Sequence, residues 1–125
     1  MELINADNAP EAIGPYSHAA DIGGLLFCSG QIPLDPGTGE FVPGGLEEQT
    51  EQVLKNLQIV LEGAGSAPEK ILMTTIFLAD IAYGKVVNEM YSSFINAEAP
   101  PARQTVAVKA LPMGAMVEIS VIAAT

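Results

Sequence analysis

Residues 99–123 read APPARQTVAVKALPMGAMVEISVIA, and this stretch decides which fold the chain can form. Pro100 and Pro101 end whatever helix precedes them, because proline lacks the amide hydrogen and pushes the residue before it toward extended backbone. Arg103 to Lys109 and Met116 to Ala123 then read as two strands, joined through Leu111-Pro112-Met113-Gly114. In the second run Val117, Ile119, Val121 and Ala123 alternate with Met116, Glu118, Ser120 and Ile122. Both rows contain apolar residues, so neither face of this strand is designed for water alone.

Upstream, Lys70 to Ala79 predicts a buried strand with the β-branched run Thr74-Thr75-Ile76. It is followed by a helix over Ile81 to Ile95, capped by Asp80, with Tyr83, Val86, Val87, Met90, Tyr91 and Phe94 on its apolar face. A longer helix is predicted over Leu46 to Glu62. Leu46, Val53, Leu54, Leu57, Val60 and Leu61 share its apolar face, Glu47, Glu48 and Glu51 occupy its first turns, and Gly63 and Gly65 end it. Leu34 to Gly45 reads as turns. Ala19 to Ile22 and Leu25 to Ser29 flank Gly23-Gly24, a two-residue hairpin signal. The order is β-β-α-β-α-β-β, an α+β fold in which two helices cover one face of a mixed sheet, with residues 1–125 forming a single domain. Two helices leave the other face bare. Because that face is still apolar, the pattern predicts association of subunits through it.

Composition narrows the function. The chain is 49% hydrophobic and 16% charged, which is globular rather than disordered. Fifteen acidic residues against five basic ones give a net charge of −10, and Arg103 is the sole arginine. Nucleic-acid and anionic-membrane binding both rest on clustered cations, so neither partner is expected. No export signal, no membrane-spanning run and one cysteine, Cys28, point to the cytoplasm. One histidine and one cysteine without ligand spacing predict no metal site, and no nucleotide-binding motif is present.

Few residues remain to carry chemistry. His18, in a Gly-Pro-Tyr-Ser-His turn, and Cys28, in a hydrophobic strand, read as structural. Arg103 reads equally as a bidentate clamp for a carboxylate or as one half of a structural ion pair. Glu118 interrupts an apolar strand. It is either a solvated edge position or a carboxylate held near Arg103 on an adjacent strand, since 15 residues and a turn separate them.

These residues carry a resemblance to a known family. Pro101-Ala102-Arg103, Val106, Leu111 and Val117-Glu118-Ile119 resemble the C-terminal signature of the YjgF/Rid family, the reactive intermediate (enamine/imine) deaminases. Gly14-Pro15-Tyr16-Ser17, Phe27 to Pro33, Gln52 to Leu57, Lys70 to Asp80 and Val87 to Tyr91 resemble further family segments, in order along nearly the whole chain. Two places differ: Pro100 stands where the family often has an aromatic residue, and Tyr83-Gly84 stands where the second helix usually begins with an Asp-Phe-like pair. The resemblance implies a chorismate-mutase-like fold, a homotrimer whose sheets form a central barrel, and active sites between subunits. It implies hydrolysis of 2-imino acids such as 2-iminobutanoate and 2-iminopropanoate to 2-oxo acids and ammonia, without a cofactor. Arg103 and the backbone around Thr105 would grip the substrate carboxylate, and Glu118 would handle the water. Tyr16, Ser29, Gly30 and Asn88 would line the pocket. The plainer readings are a turn aromatic packed on the core for Tyr16 and an exposed helix residue for Asn88. The alternative function is a non-catalytic trimer that binds 2-oxo acids. An RNA-cleaving role, attributed to some relatives, is opposed by the charge.

Overall fold

The structure is a computed structural model that describes residues 1–125. Six strands form one sheet: β1 (Glu2–Ile4), β2 (Ala19–Ile22), β3 (Leu25–Gln31), β4 (Ile71–Leu78), β5 (Ala102–Ala107) and β6 (Val117–Ala124). Two helices, α1 (Leu46–Gly63) and α2 (Gly84–Phe94), interrupt the strands in sequence. The spatial order is β1-β2-β3-β6-β4-β5. All neighbours are antiparallel except β4 and β5, which are parallel, so the sheet is mixed as expected.

Local chemistry explains the elements. Gly23 and Gly24 sit at φ 60° and 86°, the left-handed pair that a tight two-residue hairpin needs, and they join β2 to β3. Glu48 closes the start of α1 by accepting the Gly45 amide at 2.7 Å. Val53, Leu57, Val60 and Leu61 of α1 and Val87 and Tyr91 of α2 are buried with Leu26, Ile76, Leu78, Val117, Ile119 and Ala123 of the sheet in one apolar core. Buried polar groups knit the layers together. Gln49 Oε1 accepts the Met116 amide at 2.9 Å, and Asn56 donates to the carbonyls of Leu34 (2.9 Å) and Ile32 (3.3 Å), which holds the turn-rich 34–45 segment on α1.

The structure corrects four sequence expectations. A short strand, β1, precedes the predicted hairpin. The second helix begins at Gly84, after a 3-10 turn over Ile81–Tyr83, and Asp80 caps that turn by accepting the Ala82 amide at 2.9 Å. β3 continues past Ser29 to Gln31 through a bulge, because between the pairs Cys28–Val121 and Gln31–Ile119 two residues, Ser29 and Gly30, face one, Ser120. Most consequential, β5 and β6 are not adjacent, because β4 lies between them. The chain leaves β4, runs through α2 and returns parallel to β4, which places β5 at the sheet edge.

The face away from the helices is uncovered and apolar. Ile22, Leu25, Phe27 and Val106 on that side are each more than 40% exposed.

Candidate active site

The sheet delivers the candidate residues to two separate places. Arg103 pairs in register with Thr74, and Glu118 with Phe77. Thr74, Ile76 and Leu78 are buried beneath the helices, so alternation sends Phe77 to the opposite side. Residues paired across neighbouring strands share a face, so Arg103 and Thr105 lie on the helix side and Glu118 on the open side. Two strand spacings and a three-residue offset put their backbones more than about 10 Å apart. The expectation that Glu118 is held near Arg103 on an adjacent strand therefore fails within one chain.

The first place is a cleft of about 450 Å³ lined by Asn88, Tyr91, Ser92, Ile95, Pro101 and Arg103, among others. Arg103 Nη1 donates to Asn88 Oδ1, so these two expected site residues meet. The guanidinium carbon lies 5.3 Å from the Tyr91 ring centroid, in cation–π range. No carboxylate partners Arg103, since the sole ion pair in the structure joins Lys55 to Glu51 on the exposed face of α1. Within one chain the guanidinium therefore has no structural ion-pair partner. Pro100 also lines this cleft.

The second place is a cleft of about 420 Å³ lined by Ile13, Tyr16, Ser29, Gly30, Ile32, Pro112 and Glu118. Four predicted site residues thus converge here. The β3 bulge explains the geometry, since it swings Gly30 against the Glu118 side chain. A methyl carbon on Gly30 would stand 2.3 Å from Glu118 Oε2, so only glycine allows this approach. Ser29 donates its hydroxyl to the Ser17 carbonyl at 2.8 Å and its amide to the His18 carbonyl at 2.9 Å, which ties the Tyr16 turn to β3. Tyr16 Oη accepts the Ile13 amide at 3.3 Å, which leaves its own proton to donate. Glu118 is half-buried, and loss of solvation raises its carboxyl above the ordinary 4.5.

His18 and Cys28 are structural, as expected. His18 Nδ1 accepts the Ala6 amide at 2.9 Å, so its proton sits on Nε2 and is donated to the Pro10 carbonyl at 2.7 Å. Burial pushes the Cys28 thiol up to about 12, far from the thiolate form that reacts. Sequence reasoning assigned Tyr91 only to a packing face and missed its contact with Arg103. The available signal was its position one helical turn after Asn88.

Fold and clefts together define an α+β protein with two small clefts that divide one predicted set of site residues. Over residues 6–125 the chain matches the family model described as Endoribonuclease L-PSP, and it belongs to that family, the YjgF/RutC or Rid proteins. It is 46% identical over 122 residues to the chloroplastic Reactive Intermediate Deaminase A of Arabidopsis thaliana, a match covering 98% of this chain and 65% of that one. YyfA of Yersinia pestis, a Rid-family protein of solved structure, aligns with a TM-score of 0.95 at 49% identity, covering 99% and 98% of the two chains. The crystal structure of Escherichia coli TdcF with bound serine aligns with a TM-score of 0.92 at 35% identity, covering 100% and 99%.

Proposed function

We propose that the protein is a 2-imino acid deaminase, which hydrolyses 2-iminobutanoate and 2-iminopropanoate to the 2-oxo acids and ammonia. The observation that carries this reading is Glu118, a carboxyl whose proton affinity is raised by desolvation in a small cleft beside Tyr16, Ser29 and Gly30. An ionised carboxylate of raised basicity is suited to take a proton from water near neutral pH. Water then adds to the C=N carbon, the nitrogen gains the proton, and collapse of the carbinolamine releases ammonia and the 2-oxo acid. Arg103 supplies the carboxylate grip, with Asn88 beside it and the Thr105 backbone on the same strand. The chain's −10 charge repels an anionic substrate at long range, so a local bidentate clamp has to supply the attraction.

Because Arg103 and Glu118 occupy opposite faces of one sheet, a site that uses both draws them from two copies of the chain. The bare apolar face fits the proposed homotrimer, with a chorismate-mutase-like barrel of three sheets and sites in the clefts between subunits. Light scattering that gives the mass of three chains is the expected result.

The functional test is a coupled assay in which a dehydratase releases 2-iminopropanoate from serine. Wild type should accelerate imine decay, Glu118→Gln should lose about 10²–10⁴-fold, and Arg103→Ala should lose activity mainly through KM. Imine decay at the buffer rate with wild type present overturns the reading. A second reading, a non-catalytic trimer that binds small carboxylates, is favoured by the serine held in TdcF. Glu118→Gln separates the two, because it removes turnover while sparing calorimetric binding of 2-oxobutanoate. RNA cleavage, which the family model's description names, is opposed by five scattered cations in a −10 chain.

A further inference from the structure

The geometry points to Tyr91 as a positioning residue for carboxylate capture: its ring, anchored by Thr74, holds the guanidinium of Arg103 in the orientation that receives the ligand. The inference rests on the proposed use of Arg103 as a carboxylate clamp.

Arg103 begins at a disadvantage. It stands near the start of β5, an edge strand, and its side chain is exposed. A free arginine has several rotatable bonds, and ordering them at the moment of binding weakens affinity. The structure removes that freedom from two directions. Asn88 Oδ1 accepts from Nη1 at the edge of the fork. The Tyr91 ring faces the guanidinium carbon at 5.3 Å. Asn88 and Tyr91 are three residues apart on α2, one turn, so a single helix presents both to the same group. Asn88 occupies one of the five guanidinium donors, which leaves four for a bidentate carboxylate.

The ring itself is fixed. Tyr91 is 5% exposed, and its hydroxyl shares a 2.7 Å hydrogen bond with the hydroxyl of Thr74, which is fully buried on β4. Thr74 is also the residue that pairs in register with Arg103. The chain Thr74–Tyr91–Arg103 thus runs from the middle of the sheet, up to the helix and back to the neighbouring strand. A phenylalanine would fill the same space but leave the buried Thr74 hydroxyl without this partner. The buried hydroxyl pair specifies the ring's place, and the ring faces the sole arginine of the chain.

Calorimetry with 2-oxobutanoate tests the inference on the full-length protein, beside the imine assay. Tyr91→Leu is expected to raise Kd about tenfold at unchanged stoichiometry, and to raise KM for 2-iminopropanoate more than it lowers kcat. Tyr91→Phe keeps the aromatic face but loses the bond to Thr74, so it should recover part of the loss and weaken binding about threefold to fivefold relative to wild type. In an Arg103→Lys background Tyr91→Leu should add less than twofold, because an ammonium lacks the planar face. A purely structural role would instead reduce the number of binding sites at constant Kd. If Tyr91→Leu does not fold, Thr74→Val decides, with an expected weakening of about threefold to fivefold. A Kd within twofold of wild type in the folded variant overturns the inference, and so does a wild type that binds no 2-oxobutanoate. Binding through Arg103 without imine turnover would sink the deaminase reading and leave the positioning role standing.

Discussion

Gly30→Ala separates folding from chemistry more cleanly than any other single change. The added methyl carbon would stand 2.3 Å from Glu118 Oε2, 3.0 Å from Cδ and 3.1 Å from Cγ. Restoring an ordinary contact of 3.4 Å asks the oxygen to retreat by about 1.1 Å. The side chain can do so, because the carboxylate is the free end of a flexible chain and makes no hydrogen bond that pins it. Gly30 is not among the left-handed glycines, so alanine fits the backbone, and the loss of glycine's freedom in the unfolded chain is worth about 0.4–1 kcal/mol toward stability. The melting temperature should therefore stay within about 3 °C of wild type. Turnover should not survive as well: a displacement of about 1 Å at a reacting group costs on the order of 10²-fold. Paired thermal melts and imine assays read both quantities. A stable Gly30→Ala protein with wild-type turnover refutes the assignment of the Gly30–Glu118 approach to catalysis. A protein that fails to fold refutes the claim that the approach is made for chemistry rather than for packing.

Other outcomes follow from the same residues. Because burial raises Glu118 above 4.5 in the fold, its contribution to stability is full below that pH and is lost as pH rises through the folded value. Glu118→Gln should accordingly melt higher than wild type at pH 7, with the gap closing toward pH 4, in denaturation curves taken across that range. The acid limb of wild-type kcat/KM should lie above the usual carboxylate range and vanish in the same variant. Cys28, buried and with its thiol near 12, should resist alkylation by iodoacetamide in the native protein and react fully in denaturant, as followed by mass spectrometry. His18→Leu should cost about 2 kcal/mol and speed hydrogen exchange at the Ala6 amide, because that amide and the Pro10 carbonyl lose their partner.

The sequence was a good guide where a pattern was long or a turn was chemically demanding. Eighteen residues of helical periodicity made α1 plain, and Gly23-Gly24 marked its hairpin because few other pairs adopt two left-handed residues. The three residues of β1 offer no alternation to read. The β3 bulge left a trace, a glycine inside a strand, but only the partner strand shows that an extra residue is accommodated. The misplacement of β5 has a different cause. Two strands joined by a turn suggest an antiparallel pair, and that suggestion obscured the strand–helix–strand order of β4, α2 and β5, which demands a parallel return. Arg103 and Glu118 were identifiable as chemically unusual side chains. That they stand on opposite faces depends on the intervening strand β4, to which neither belongs. Tyr91 was hidden for a related reason, because a tyrosine on an apolar helix face looks the same whether or not a cation lies over its ring.

Mixing two impaired variants, assayed at substrate well below KM, tests most directly whether Arg103 and Glu118 of separate copies form one catalytic site. Arg103→Ala and Glu118→Gln chains would be unfolded together in equal amounts, refolded and assayed for imine hydrolysis. If each site takes its arginine from one copy and its carboxylate from the next, random assembly regenerates intact sites at about a quarter of the wild-type number, with activity to match. Activity no higher than that of either variant alone would contradict a shared site.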